Sequence, residues 1–346
     1  MTERMIKPLL FNINGNDTVS EQKLLGGNPT GIANLNQIKY KWSMPLYRTM
    51  MGNFWIPQKV SLAEDKISIL TLTKDEDNAV KDTLSFLIFL DSYQTNNLPN
   101  IAEYITAQSV KNLFGIQQFQ EIVHTESYQY ILESLYENMT RDKIYNRWRE
   151  NPMMLKRNKF IADMGQEFID NGTKQGFNKV MISNFILEGV YFYQGFQFFD
   201  QLAHRQKLVK TDKIIDYIRR DELTHVGLNV NMIKETMTGT KAGIKKHTGM
   251  IHDMFGRAGE EEIEWCHETY GDRILGISKK SSTEFIQDLI NDRLIRIGIE
   301  PLYQGVSNPY KHLEQSAVEG STRENFFETT TTSYNQAASL PGWDKL

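Results

Sequence analysis

The chain has 346 residues, 40% of them apolar and 24% charged, and its 39 Lys+Arg against 43 Asp+Glu leave a net charge of −4. That composition suits a globular protein of one large or two ordinary domains, and it lacks the basic excess that nucleic-acid binding requires. The single cysteine, Cys266, excludes an internal disulfide framework or a dithiol redox cycle and fits a reducing compartment.

The first residues, Met1 to Lys7, carry an acid early and lead only to the short apolar run Pro8 to Phe11, which is too mixed for a secretory signal. Residues 1–60 are punctuated by Asn, Gly and Pro and read as an irregular arm with short helical pieces. Two capping boxes follow, Ser61 with Glu64 and Thr73 with Glu76. After the second, Val80, Leu84, Leu87 and Ile88 recur at helical spacing toward Tyr93, and Asn96-Asn97-Leu98-Pro99 is expected to end that helix.

A second helical pattern covers about 116–135. A third, about 177–202, is apolar nearly all round and marks a buried helix. A fourth lies at about 212–237, with further helices near 245–268 and 282–298. The longest apolar stretch, Phe86 to Leu90, is far short of the ~20 residues of a membrane span. No sustained alternation is bounded by hairpin turns. The expectation is an all-α bundle, cytoplasmic, with neither membrane nor nucleic acid as partner. From about Asn308 the chain becomes polar, and its embedded Phe326, Phe327, Tyr334 and Trp343 read equally as a binding peptide or as a terminus without a role.

Chemistry enters with the pairing of Glu and His. Chance pairing of the 7 histidines with the chain's glutamates gives about 0.5 Glu-x-x-His matches. There are three: Glu121–His124, Glu222–His225 and Glu264–His267. At i, i+3 both side chains leave the same helix face, so one helix can offer an oxygen and a nitrogen to one metal ion. A two-metal site in a four-helix bundle wants two such helices and a carboxylate from each of two others. Asp91 ends the apolar run Ser85 to Leu90, and Glu188 sits inside Asn-Phe-Ile-Leu-Glu-Gly-Val-Tyr-Phe-Tyr. An unpaired carboxylate there would cost several kcal/mol, a penalty that metal ions remove. Four carboxylates also balance two divalent cations. The third pair lies in a dense acidic run, Glu260 to Glu264, and reads as a solvated helix face.

Tyr128 is four residues after His124 and seven after Glu121, so it lies along the same face. It reads either as a one-electron donor beside the metals or as a core tyrosine. Phe192 and Phe196, one and two turns after Glu188 by ordinary helical counting, are expected to face the cluster and to seal it from water.

At this point the sequence resembles the small, radical-generating subunit of class I ribonucleotide reductase. The likeness rests on Phe54-Trp-Ile-Pro, Leu90-Asp-Ser-Tyr-Gln, Glu121-Ile-Val-His-Thr-Glu-Ser-Tyr128, Leu187-Glu-Gly-Val-Tyr-Phe192 and Arg220-Asp-Glu-Leu-Thr-His225. Arg296-Ile-Gly-Ile-Glu-Pro and the tail Asn325-Phe-Phe-Glu with Ser333-Tyr334 extend it, in family order, from about residue 25 to the end.

The resemblance implies a ferritin-like bundle at 61–305 between an arm at 1–60 and a tail at 306–346. It implies metal ligands Asp91, Glu121, His124, Glu188, Glu222 and His225, and a radical on Tyr128. It further implies a relay through Asp221 and Trp55, a tail Tyr334 assisted by Glu328, docking of the tail on the large subunit, and a homodimer. The metals implied are two ions, iron first, with manganese or a mixed manganese–iron pair as the other choices. Some members of the branch it is most similar to replace the radical tyrosine by Phe and use a mixed manganese–iron centre. This chain keeps Tyr128 and has Asp at 91 rather than Glu, which favours a tyrosyl radical.

One argument from the residues agrees. Ribonucleotide reduction takes two electrons from thiols, and one cysteine cannot supply them, so the substrate must be reduced on a partner. The competing readings are a dimetal oxygenase or desaturase, which generally has Glu where Asp91 stands, and an iron-storage protein, which needs neither Tyr128 nor an apolar seal.

Overall fold

The computed structural model describes residues 4–311. One unit ends at Ser307 and contains all the helices named below; a second begins at Asn308, whose side chain accepts a hydrogen bond from the Tyr310 amide at 2.8 Å. Of the tail expected at 306–346, the part beyond 311, with Glu328 and Tyr334, lies outside the described residues.

Eleven α-helices follow one another among the described residues: α1 Ser43–Gly52, α2 Asp65–Ser68, α3 Lys74–Ala102, α4 Gln108–Leu135, α5 Asn138–Glu150, α6 Pro152–Asn171, α7 Lys174–Ile186, α8 Phe192–His204, α9 Val209–Ile233, α10 Lys241–Thr269 and α11 Lys279–Arg296. Two π-helical turns interrupt the rods, Leu187–Tyr191 between α7 and α8 and Lys234–Thr238 after α9. Only two isolated β-bridges, Arg4 with Thr173 and Leu25 with Ile105, accompany them among the described residues. The all-α expectation holds, and among the described residues no helix is long and apolar enough to cross a membrane.

The caps explain where the site helices begin. Thr73 and Glu76 form the expected capping box of α3, whose first turn carries Asp75, Glu76 and Asp77 against the helix dipole. Ser61 and Glu64 do not form one. Ser61 Oγ only accepts from the Ala63 amide, and α2 starts later, at Asp65. Asp65 has another task. It is buried, and its carboxylate accepts from the amides of Lys210 (3.2 Å) and Thr211 (2.6 Å) and from the Thr211 hydroxyl (2.7 Å). It thus caps α9 from a distant part of the chain.

Pro99 does not end α3, which continues to Ala102. A proline inside a helix leaves one carbonyl without its donor. That carbonyl is on Thr95, and the Gln118 side chain of α4 donates to it at 3.1 Å. The tertiary partner replaces the lost bond. Two elements lie outside the expected helices, α5 and α6; α5 buries only Ile144, so no apolar stripe announces it, whereas α6 buries Met154, Phe160, Ile161 and Phe168 along one face.

Helices α3, α4, the α7–π–α8 rod and α9 pack on one another and enclose the centre. Arg157 and Glu262 form a wholly buried ion pair between α6 and α10, with the guanidinium against the rings of Phe86, Tyr191 and Trp265. Burial lifts Glu262 to about 7, against the pull of Arg157.

Glu76 ties the start of α3 to the residues after α8, through Arg205 and through Lys207 at 2.7 Å. Burial alone would raise its pKa, but Lys207, the Thr73 amide and Arg205 together bring it down to about 2. Glu76→Gln should therefore lower the stability of metal-free protein at pH 7 by about 2 kcal/mol, after discounting for the part-exposed cations. Because the folded pKa is depressed, this contribution is complete above about 4.5, the unfolded carboxyl value, and fades as pH falls toward 2. Denaturant melts at pH 7 and at about pH 3.5 test it; a deficit that ignores pH would assign the loss to packing instead.

Candidate metal centre

Six of the expected residues converge. Asp91 comes from α3, Glu121 and His124 from α4, Glu188 from the π-turn, and Glu222 and His225 from α9; all six are wholly buried. Around His124 Nδ1 stand Asp91 Oδ1 (3.2 Å), Glu222 Oε1 (3.2 Å) and Glu121 Oε2 (3.4 Å). Around His225 Nδ1 stand Glu222 Oε2 (2.9 Å), Glu188 Oε2 (3.3 Å) and Glu121 Oε1 (3.4 Å).

Two donors each ~2.1 Å from one metal ion and at right angles to each other lie about 3 Å apart, so these are ligand-to-ligand spacings. Glu121 and Glu222 each give one oxygen to each group, which is the division expected of carboxylates shared between two ions.

The donor chemistry fits a pair of metals in other respects. Asp91 Oδ2, Glu121 Oε2 and Glu222 Oε1 are buried and have no hydrogen-bond donor. Such acceptors are costly unless a cation faces them. Both histidines commit their outer nitrogen elsewhere: His124 Nε2 meets Asp221 Oδ2 at 3.2 Å, and His225 Nε2 meets Gln120 Oε1 at 3.0 Å. Gln120 in turn donates to the Met50 carbonyl at 3.3 Å. Each outer bond keeps the proton on Nε2 and turns the Nδ1 lone pair inward.

Without metal the cluster strains against its own charge. Burial first, and then repulsion from Glu188, push Glu121 and Glu222 well above the usual carboxyl range. Glu188 runs the other way: burial opposes its ionisation, but hydrogen bonds from Glu222, His225 and Gln94 hold it below its ordinary value. Burial alone would lower His124, yet Asp221, Asp91, Glu121 and Glu222 raise it well above 6.5. Protons here do what divalent cations would do better.

Asp221 also accepts from Trp55 Nε1 at 2.8 Å, so a hydrogen-bonded line runs from Trp55 through Asp221 to His124. Trp55 is only half-buried and its ring lies 5.2 Å from that of Tyr217, a neighbour that the motifs did not single out.

Tyr128 is wholly buried and feels Asp91, yet its hydroxyl makes no hydrogen bond of full geometry. Burial first, and then Asp91 and Glu222, push the phenol well above 10. It stays protonated. Phe192 and Phe196 are buried and stack on each other at 5.7 Å.

The third Glu-x-x-His pair stays at the surface, as expected: Glu264 pairs with Lys156 at 3.1 Å, and His267 Nε2 meets the Lys279 carbonyl and Thr283 Oγ1. Tyr334 and Glu328 lie outside the described residues. Three glutamines escaped the motif reading: Gln94, Gln117 and Gln120. Their signal was present, since they stand three after Asp91 and four before Glu121 and His124, on the ligand faces.

The π-turn is a further feature that periodicity concealed. Two buried arginines serve its carbonyls, Arg293 Nε to Gly189 at 2.9 Å and Arg157 to Tyr191 at 3.4 Å. A Cβ on Gly189 would stand 2.9 Å from Arg293 Nε, so glycine leaves room for that guanidinium.

Comparison with known proteins places this geometry. Residues 32–309 match the family model described as ribonucleotide reductase, small chain. The chain is 36% identical over 335 residues to the ribonucleoside-diphosphate reductase subunit beta of Treponema pallidum, covering 96% of this chain and 95% of that one. It is 34% identical to the corresponding subunit of Halalkalibacterium halodurans, over 93% of this chain and 94% of the other. Among solved structures, the ribonucleotide reductase R2 subunit from Clostridium botulinum is similar with a TM-score of 0.85 and 40% identity, over 90% of this chain and 99% of that chain.

Proposed function

The chain belongs to the ribonucleotide reductase small-chain family as a class I small subunit, and from that premise we propose that it forms a radical on Tyr128 and relays the oxidising equivalent to the large subunit, where ribonucleoside diphosphates are reduced. The observation that carries this reading is the hydrogen-bonded line from half-buried Trp55 through Asp221 to His124. A storage site or a self-contained oxygenase has no use for a connection that leads away from its metals.

Asp91, Glu121, His124, Glu188, Glu222 and His225 hold the two ions, iron first, with manganese or a mixed pair served by the same oxygen and nitrogen donors. Held there in reduced form, such a pair would supply a one-electron oxidant from oxygen or an oxygen-derived oxidant. The residues do the rest. Tyr128 gives up one electron to that oxidant, and because its phenol is protonated, its proton must leave as well; Asp91 is the carboxylate whose charge the phenol feels most. The surrounding apolar side chains keep water and reductants away from the resulting phenoxyl. Asp221 holds His124 and Trp55 in one line, so an electron can pass inward along it as the hole moves out.

The single cysteine supports the division of labour. Cys266 is buried, and burial with the charge of Glu262 pushes its thiol well above 9, so it is no reductant for a nucleotide. The partner must carry the thiols.

The finer organisation belongs to the same proposal: an arm at 1–60, a dimetal body at 61–305, and a tail at 306–346 that docks on the large subunit and presents Tyr334 and Glu328. A cytoplasmic setting fits the free thiol. The homodimer draws support from exposed apolar side chains on and beside α4, where Phe54 stacks on Phe119 at 6.3 Å and Ile122 lies one turn on.

Loading metal-free protein anaerobically with Fe(II) and then admitting air should give a sharp organic-radical signal in electron paramagnetic resonance. Activity with a large subunit should accompany it. If neither Fe(II), Mn(II) nor the mixture, with oxygen or an oxygen-derived oxidant, produced a radical or supported reduction, the proposal would fall.

A further inference from the structure

Glu188 is held differently from the other carboxylates of the centre. Its Oε2 points toward the metal space, 3.3 Å from His225 Nδ1. Its Oε1 points away and receives two side-chain amides, Gln94 Nε2 of α3 and Gln117 Nε2 of α4, the latter at 2.7 Å. Gln117 also reaches Glu121 Oε1 at 3.2 Å. Both glutamines are fully buried and have only these carboxylates to satisfy their inward NH₂ groups. The amide orientation follows from chemistry, since a carboxylate accepts only and an amide oxygen turned toward it would be repelled.

Gln94 is itself steadied from behind. Its Oε1 faces Asn97 Nδ2 at 3.4 Å, and that same group donates to Asn184 Oδ1 at 2.9 Å. Asn97 and Asn184 are buried too. The amides therefore form a connected chain across α3 and α7 that ends on one oxygen of one ligand.

We infer that Gln94 and Gln117 are positioning residues that restrict Glu188 to donation through Oε2, leaving Oε1 bound to protein. The inference rests on the reading of the cluster as a two-metal centre. Its physical content is a competition. A carboxylate can turn both oxygens onto a metal only by giving up donors to the second, and here two charge-assisted hydrogen bonds in a dry site oppose that turn. Glu188 is the suitable ligand for such control, because it alone sits on a π-turn and bears no histidine on its own helix face.

The test uses the full chain loaded with Mn(II) alone, as wild type and as the double variant Gln94→Met/Gln117→Met, which keeps side-chain length and removes both donors. Metal content comes first: two Mn(II) per chain in wild type reports on the centre itself, and fewer would sink that reading independently of the clamp. Crystal structures then read the Glu188 oxygens. The expected result is Oε2 alone on the metal in wild type and both oxygens engaged in the double variant. Isotope-edited infrared spectra with ¹³C-glutamate give the same answer in solution, the splitting of the carboxylate stretches narrowing when both oxygens bind. Should the double variant not fold, single Gln117→Met carries the comparison. Two oxygens of Glu188 on the metal in wild type, or unchanged one-oxygen binding in the variants, would overturn the inference.

Discussion

Tyr128→Phe is expected to abolish the organic-radical signal and the activity with the large subunit, while two metal ions still bind. Phenylalanine has no ionisable O–H to release with the electron, so the oxidising equivalent finds no resting place at that position. The change should leave the fold intact. The Tyr128 hydroxyl is buried without a hydrogen bond of full geometry, so its removal strands no partner and should shift stability by no more than about 1 kcal/mol. Resonance spectra, metal content and thermal melts on one preparation separate the three effects. A radical that persisted in the variant would move the site elsewhere, and lost metal would reveal a structural role instead.

The complementary result is expected from Tyr334→Phe. Tyr334 lies outside the described residues, and its assignment rests on the tail motif. The variant should form the Tyr128 radical in full yield and yet show no turnover with the large subunit, because the break falls after radical formation. Binding to the large subunit should be little changed, since a phenol and a phenyl ring bury nearly the same area. Loss of the radical itself would contradict a relay role, and full activity would remove Tyr334 from the path.

Much of the centre was legible in the sequence because its signals are local. Two Glu-x-x-His pairs declare two helices, and a carboxylate in an apolar run, as at Asp91 and Glu188, declares a compensating charge. The long rods followed from apolar periodicity. What remained hidden depended on partners far along the chain. Pro99 looked like a stop until Gln118 supplied the missing donor, and Ser61 looked like a cap although Asp65 went instead to α9. Helix α5 was silent because it buries one apolar residue. Asp221 was implied by the resemblance, but the glutamines around the ligands escaped because glutamine is an ordinary helix former, and only the structure shows that three of them point inward at ligands.

The π-turn at Leu187–Tyr191 has a consequence for the whole α7–α8 rod. One extra residue in a helix rotates everything beyond it by about 100° relative to an uninterrupted α-helix. The rod therefore carries two phases, one through α7 and another through α8, with Glu188 at the seam. Counting by 3.6 from Glu188 to Phe192 and Phe196 crosses that seam. The amphipathic pattern of α8 is set by its own contacts, and the two halves can satisfy different neighbours at once.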